Sequence, residues 1–294
     1  AVELRNALQR EVGVALAATL AFDFPTVRTI AKHLGGLLSK PVAKAPGQPV
    51  STPQVPQITQ PSGNKSDSGM AVVGASCRLP GGAGDVGAFW AVVRNGISAS
   101  ATAPVGRASW GCAHDPGTCP GMNAYTNRSC FIDDIDMFDA SFFGIAPAEA
   151  AHMDPQQRLL LEQTWLAFEI AGLTPEKLQG ASVGVFIGCC ASDYGRLTAS
   201  APSPYAITGG SQSAMSGRIS YSLGFVGPSF TVDTACSSSM VAASLAKDSL
   251  DGSTSRVSVI GGVQCNLVDG PVVALCQMRA LAPDGLCKTF DASA

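Results

Sequence analysis

The chain has 294 residues, of which 46% are hydrophobic and 14% are charged, and its formal net charge is −3. This length allows one large domain or two ordinary ones, and the hydrophobic content is enough for a packed core. Lys and Arg form no run or stripe, so we do not expect nucleic-acid binding. Pro, Gly and Ser clusters interrupt every uncharged stretch before it reaches the length of a membrane span.

Ten cysteines and three histidines are scattered along the chain without any CxxC pair. The spacing of zinc ligands is therefore missing. Several cysteines lie inside apolar runs, as small buried hydrophobes do, so we expect free thiols and a reducing, cytoplasmic environment. The acidic cluster over 133–139 lacks the Gly and the terminal Glu of a calcium loop, which favours a half-exposed segment.

The first 69 residues predict a small helical segment and a linker. Apolar residues such as Leu4 and Leu8 indicate a helix over 1–13, and a second helix is expected through Ile30 to about 38. Residues 39–69 then carry repeated prolines among Gln, Ser and Thr, which is typical of an extended linker.

From residue 70 onward the composition is that of a globular domain. In chain order the patterns predict a buried strand at 70–75, a helix around 88–93, a loop over 98–130, a helix over 147–171, a strand at 182–188, a helix over 211–223, a strand at 229–233, a helix over 237–250 and a strand at 256–261. Strands that alternate with helices indicate an α/β layered domain.

The segment Phe230-Thr-Val-Asp-Thr-Ala-Cys-Ser-Ser-Ser239 is the strongest chemical signal. An apolar strand runs into small residues, and an almost wholly apolar helix follows, so Cys236 is expected at a helix N-terminus. Unpaired N–H groups and the helix dipole favour negative charge there, and a thiolate is the nucleophilic form of cysteine. The same N–H groups could stabilise an oxyanion. Position alone leaves open a buried cysteine in a packed turn.

Residues 233–239 resemble the active-site signature of β-ketoacyl synthases of modular polyketide synthases. Further motifs of that family follow one another in the expected order: Cys77-Arg-Leu-Pro-Gly, Phe138-Asp-Ala-Ser-Phe-Phe-Gly, Met153-Asp-Pro-Gln-Gln-Arg, Gly217-Arg-Ile-Ser-Tyr and Cys287-Lys-Thr-Phe-Asp. The resemblance covers about 70–294. It implies a thiolase-like fold, represented by its N-terminal half.

The resemblance also implies an acyltransferase of the 3-oxoacyl-[acyl-carrier-protein] synthase type. An acyl chain would pass from a carrier domain to Cys236, the nucleophile, whose backbone N–H would form part of the oxyanion hole. A malonyl-type extender would then lose CO₂ and condense with the acyl group. The two catalytic histidines of the family are expected beyond residue 294, so residues 70–294 by themselves are expected to accept acyl groups at most. The family also implies a homodimer, and the acyl-tunnel or dimer contacts would come from Tyr194 and 205–216.

Residues 1–38 resemble the C-terminal part of an acyl carrier domain, through Ala1-Val-Glu-Leu-Arg-Asn-Ala-Leu8 and Phe22-Asp-Phe-Pro-Thr26. In that family the serine that bears 4′-phosphopantetheine would fall upstream of Ala1, so the expectation is that this chain binds no cofactor or metal and receives the arm from a carrier domain. Three alternatives stay open: a non-catalytic scaffold or dimerisation module, a fatty acid synthase condensing domain, and a thiolase or related acyl-CoA enzyme.

Overall fold

The structure is a computed structural model that describes residues 8–9, 11–14, 16, 20, 24, 27–38, 69–104, 107, 123–198 and 203–293. The chain divides into two compact units, 1–54 and 55–294. The predicted linker lies almost wholly outside the described residues, and so does most of the predicted helix over 1–13, of which 8–9 and 11–12 are helical.

The first unit is a small helical cluster. Helix α1 spans Val27–Leu38, as the apolar spacing predicts. Its inward face buries Ile30 and Leu34 against Leu16 and Leu20. The ring of Phe24 stacks on the imidazole of His33 with 4.1 Å between the ring centres. This unit therefore has a hydrophobic core of its own.

The second unit alternates helices and strands. In chain order its elements are α2 (Val86–Arg94), β1 (Ser100–Thr102), β2 (Arg128–Cys130), α3 (Pro147–Ala150), α4 (Pro155–Ile170), α5 (Pro175–Leu178), β3 (Val183–Gly188), α6 (Tyr194–Thr198), α7 (Ala206–Gly210), α8 (Ser213–Leu223), β4 (Ser229–Val232), α9 (Ser238–Asp251), β5 (Val257–Gly262) and α10 (Gly270–Gln277). A short 3₁₀ turn, Ala235–Ser237, precedes α9.

A three-stranded parallel sheet lies at the centre of this unit, in the order β4-β3-β5. The central strand β3 is buried along its whole length, which explains why its sequence is continuously apolar rather than alternating. Gly188 pairs with Val232 on one side and with Gly262 on the other. The carboxyl ends of all three strands therefore lie along one edge of the sheet.

Helices cover both faces of the sheet. Val183, Val185 and Ile187 point into the main core, which they share with residues of α4 and α8. Phe186 points to the opposite face, where it packs on Ala242 and Ala246 of α9. Because both alanines are fully buried and small, α9 lies close to the sheet. The predicted α/β layered architecture is confirmed.

Strands β3, β4 and β5 and helices α2, α8 and α9 fall where the sequence predicts them, within one to two residues. The single helix predicted over 147–171 is wrong, because the chain forms α3 and α4 with a break at 151–154. Pro155 disfavours the helical conformation at Asp154, and the Asp154 carboxylate accepts a hydrogen bond from the N–H of Gln156 and caps α4.

Two further predictions need correction. Residues 70–75 form no strand, and Val72 and Val73 are exposed. This segment runs along α4, since a Cβ added to Gly74 would clash with the carbonyl oxygen of Ala167. Just after the segment, the hydroxyl of Ser76 donates to the carbonyl of Gln163 across 2.6 Å. The predicted loop over 98–130 contains the antiparallel pair β1 and β2. Apolar composition at 70–75 therefore did not indicate whether a neighbouring strand was available for pairing.

Candidate active site at the carboxyl edge of the sheet

Cys236 lies in the turn that joins β4 to α9, with an exposed side chain. Strand β4 ends at Val232, and α9 begins two residues after the cysteine. The structure thus places Cys236 at the strand-to-helix position that the sequence indicates. An exposed thiol there is accessible to a substrate, in contrast to the buried cysteine that position alone left open.

The turn is held in an unusual backbone conformation. Ala235 has a φ of 56°, in the left-handed region that alanine rarely adopts. The carboxylate of Asp233 accepts from the N–H of Ala235 at 3.0 Å. The buried hydroxyl of Ser238 donates to the carbonyl of Ala235 at 2.7 Å and accepts from the N–H of Thr234 at 2.9 Å. These bonds fix the direction of the peptide that precedes Cys236.

Glycines allow the turn to approach the sheet. A Cβ added to Gly188 would lie 2.5 Å from the backbone nitrogen of Ser239, and a Cβ added to Gly262 would lie 2.9 Å from the Cβ of Ser239. The end of β3 and the end of β5 therefore pack directly against the first turn of α9. Side chains at either glycine would push the Cys236 turn away from the sheet.

Cys190 is a neighbour of this turn that the sequence pattern did not indicate. It follows the buried Cys189 directly and is itself exposed. The thiol of Cys190 donates to the carbonyl of Ala235 at a distance of 3.1 Å. The parallel pairing of β3 with β4 would have indicated this contact, but it depends on strand register.

The surroundings shift the pKa values of four other cysteines. Burial raises the pKa of Cys189 to about 11 and that of Cys265 to about 12, because ionisation there would place charge in a poorly solvated core. Burial also raises the pKa of the Cys77 thiol, whereas a hydrogen bond with Thr289 lowers that of Cys287. All eight described cysteines are free thiols, as the sequence predicts.

A buried polar network lies next to the same edge of the sheet. Oδ2 of Asp154 accepts from the hydroxyl of Ser192 at 2.5 Å, and the amide of Gln156 donates to the carbonyl of Ala191 at 2.8 Å. Asp193, which is also buried, accepts from the N–H of Leu267 at 3.2 Å. The start of α4 is thereby tied to the loops that follow β3 and β5.

A second part of this network fixes the segment before α8. The side-chain amide of Gln157 donates to the carbonyl of Gly209 at 2.8 Å, and its oxygen accepts from Arg218 at 2.8 Å. Arg218 also forms an ion pair with Glu149 at 2.6 Å. The motif Met153-Asp-Pro-Gln-Gln-Arg158 was recognised in the sequence as a family motif. The sequence did not indicate that its polar side chains form buried hydrogen bonds with neighbouring loops.

An open cavity of about 390 Å³ lies beside β4 and the start of α8. Its lining includes Gln212, Ser213 and Ser216, which belong to the segment that the resemblance associates with an acyl tunnel or a dimer contact. Tyr194 has a different environment, since its hydroxyl donates to the carbonyl of Ala151 at 2.5 Å and lies 3.3 Å from Arg158. The tunnel and the dimer contact stay predictions.

Other candidate sites find little support. Within the described part of the chain, no group of three or more His, Cys, Asp or Glu side chains is arranged to hold a metal ion. The half-buried imidazole of His152 contacts the carbonyl of Ala148 at 2.9 Å, while His114 lies outside the described residues. Among the described helices, none is long and apolar enough to cross a membrane.

A parallel sheet that is covered by helices and presents a cysteine at a strand-to-helix turn defines an α/β protein, and its likeness to solved ketosynthase domains makes the fold thiolase-like. The family model of the N-terminal domain of β-ketoacyl synthases matches residues 67–294. The chain therefore belongs to the β-ketoacyl synthase family, as the sequence motifs predict.

Solved structures and curated relatives agree with this assignment. A ketosynthase domain of oxazolomycin biosynthesis from Streptomyces albus is 30% identical with a TM-score of 0.67, over 74% of this chain and 39% of that one. The ketosynthase from module 6 of the bacillaene synthase of Bacillus subtilis is 33% identical with a TM-score of 0.65, over 76% of this chain and 36% of that one.

Two curated relatives align along the whole chain. Polyketide synthase GfsA of Streptomyces halstedii is 42% identical over 302 residues, and the pikromycin polyketide synthase component PikAII of Streptomyces venezuelae is 42% identical over 300 residues. The chain covers only 4% of the first protein and 8% of the second. It is thus similar to a small part of each.

Proposed function

We propose that Cys236 is the nucleophile of a polyketide-type ketosynthase and accepts an acyl group from a carrier-bound thioester. The observation that carries this proposal is the exposed thiol in the turn between β4 and α9. Backbone N–H groups at the start of a helix favour negative charge on the attacking sulfur and on the attacked carbonyl. Small residues around the turn leave room for a thioester to approach.

In the first step the thiolate of Cys236 attacks the thioester carbonyl carbon, and the carbonyl oxygen becomes an oxyanion. The N–H of Cys236 is the donor that we assign to this oxyanion. Collapse of the intermediate expels the carrier thiol and leaves an acyl-cysteine. In a complete ketosynthase a malonyl-type thioester would then lose CO₂ and its carbanion would attack the acyl carbon, a step that residues 70–294 alone are not expected to perform. The products are a β-ketoacyl thioester and the free Cys236 thiol, as in a 3-oxoacyl-[acyl-carrier-protein] synthase.

The partners follow from this chemistry. Both thioesters would be presented on the 4′-phosphopantetheine arm of acyl carrier domains, and the arm is a substrate carrier rather than a group held by this chain. Two polyketide synthases align over the whole chain, so residues 1–69 also have counterparts in such proteins. That residues 1–38 derive from a carrier domain and that 39–69 form a linker stay predictions. The homodimer and the cytoplasmic location stay predictions.

The direct test of this proposal is whether Cys236 alone, among the ten cysteines of the chain, accepts an acyl group. The 294-residue chain is incubated with an acyl thioester on a carrier domain, and acylation is read by mass spectrometry of tryptic peptides. Residues 219–247 lie between Arg218 and Lys247 cleavage sites and contain Cys236 as their single cysteine, so the label is assigned without ambiguity.

We expect acylation of this peptide in the native protein and its loss in Cys236→Ala. The matched control is Cys130→Ala, which removes another exposed thiol, on β2, and should acylate normally. Equal labelling of the exposed cysteines, or acylation that persists in Cys236→Ala, would refute the proposal. A folded dimer that is never acylated would instead support a scaffold module.

A further inference from the structure

A second thiol lies against the turn that carries Cys236. The Sγ atom of Cys190 donates to the carbonyl oxygen of Ala235 at 3.1 Å and lies 3.7 Å from the hydroxyl of Ser238. Cys190 follows β3, whereas Ala235 follows β4, and these strands are neighbours in the parallel sheet. The contact therefore connects the turn to a strand other than the one that leads into it.

The peptide unit between Ala235 and Cys236 transmits this contact to the reactive residue. A peptide unit is planar, and in its trans form the carbonyl oxygen and the following N–H point in opposite directions. A group that fixes the carbonyl of Ala235 therefore also fixes the direction of the N–H of Cys236. This N–H is the oxyanion donor in the proposed function.

The orientation of this peptide needs support from its surroundings. Ala235 has a φ of 56°, so the turn would relax if the peptide were free to rotate. Asp233 and Ser238 hold Ala235 at its N–H and at its carbonyl, and both belong to the turn itself. Cys190 binds the same carbonyl from the loop after β3, whose position the central strand determines.

We propose that Cys190 is a positioning residue for acyl transfer: its thiol orients the Ala235–Cys236 peptide so that the N–H of Cys236 points at the developing oxyanion. The inference rests on the proposed function of Cys236. The contact from Cys190 affects the stabilisation of the substrate's carbonyl oxygen and does not change the reactivity of the Cys236 sulfur. Reactions that build negative charge on a carbonyl oxygen should depend on Cys190, and reactions at sulfur without such a charge should not.

Two reactions at Cys236 separate these effects. Acylation by a carrier-bound thioester passes through an oxyanion, whereas alkylation by iodoacetamide is a direct displacement at carbon without one. Both rates are measured in the 294-residue chain on the peptide 219–247, so that modification of Cys190, which lies in a different tryptic peptide, does not interfere. The variants are Cys190→Ala, which removes the donor, and Cys190→Ser, which retains a hydroxyl donor.

We expect Cys190→Ala to slow acylation about tenfold, since a misdirected donor loses part of the stabilisation that an oxyanion hole supplies. Its alkylation rate should equal that of the native protein. Cys190→Ser should recover most of the acylation rate, and the control Cys130→Ala should change neither rate.

A fall in both rates by the same factor in Cys190→Ala would overturn the inference, because it would indicate a general disturbance of the turn. Unchanged acylation in that variant would overturn it as well. Absence of acylation at Cys236 in the native protein would be a failure of the proposed function itself, and it is recognised before any variant is compared.

Discussion

The backbone N–H of Cys265 donates to the side-chain oxygen of Gln156 at 3.0 Å, although 109 positions separate the two residues in the chain. The nitrogen of the same side chain donates to the carbonyl of Ala191. Gln156 is almost fully buried, so water cannot replace either bond. One amide thereby joins the loop after β3 to the loop after β5, next to the candidate active site.

Replacing Gln156 with Leu should therefore destabilise the protein. The substitution leaves the buried N–H of Cys265 without a partner and removes one of the donors to the half-buried carbonyl of Ala191, which costs roughly 1–3 kcal/mol of the free energy of unfolding. Urea unfolding followed by circular dichroism measures this change. The matched control is Gln163→Leu on the same helix, because the side-chain oxygen of Gln163 is buried and has no partner among the described residues. That variant should be neutral or slightly stabilising, and equal losses in the two variants would contradict the argument.

The hydroxyl of Ser238 is expected to matter both for stability and for acyl transfer. Ser238→Ala removes a buried donor to the carbonyl of Ala235 and an acceptor for the N–H of Thr234, which should cost roughly 1–3 kcal/mol. Acylation of Cys236 should slow as well, because the turn loses an internal anchor. Ser237→Ala is the control: Ser237 is exposed, so water replaces its contact with Thr234 and stability should hardly change. Thermal unfolding and peptide-resolved acylation of both variants test this contrast.

A methyl group at Gly188 should have the opposite effect to one at Gly217. The Cβ of Gly188→Ala would meet backbone atoms of Ser238 and Ser239 at 2.6 Å and 2.5 Å, and backbone cannot move aside cheaply. We expect a loss of about 3 kcal/mol or more and weaker acylation. Gly217 lies inside α8 with no neighbouring atom within 4 Å of such a Cβ, so Gly217→Ala should stabilise the protein by about 0.5–1 kcal/mol. Comparable destabilisation by both substitutions would refute the packing argument.

The elements that could be predicted from the sequence are those with a clear local pattern. Strands β3, β4 and β5 are short apolar runs bounded by Gly, Pro or Asp, and Gly224 ends α8 in the left-handed conformation that favours glycine. Residues 70–75 have the same apolar composition, but a strand also needs a partner, and here the chain passes along α4 instead. Local pattern did not contain that information.

The candidate site likewise has one part that the sequence predicts and another that it does not. Cys236 could be found because the strand, the small residues and the helix around it are consecutive in sequence. The contact between Cys190 and Ala235 depends on the register of two strands, and the bond between Gln156 and Cys265 depends on how α4 packs beneath the sheet. These relations arise only when distant segments meet, so a single sequence does not reveal them.

Buried thiols should make the stability of the protein depend on alkaline pH. Burial, reinforced by the negative charge of Asp154, raises the pKa of Cys265 from its usual value of 9.0 to about 12. Between these two values the folded state retains a proton that the unfolded chain has released. Folding is therefore favoured less as the pH rises above 9, while the contribution of the thiol is fully present below 9. Cys189, with a pKa of about 11, should act in the same direction.

A difference measurement isolates the contribution of Cys265. The free energy of unfolding of the native protein is compared with that of Cys265→Ala at pH 8 and at pH 10.5. The advantage of the native protein should shrink by up to about 1.4 kcal/mol for each pH unit above 9, because only the native chain has this thiol to ionise on unfolding. Leu267→Ala truncates a neighbour in the same buried cluster without removing a titratable group, so its cost should stay constant. A pH-independent cost of Cys265→Ala would show that the folded protein admits the thiolate without penalty, contrary to the burial that the structure shows.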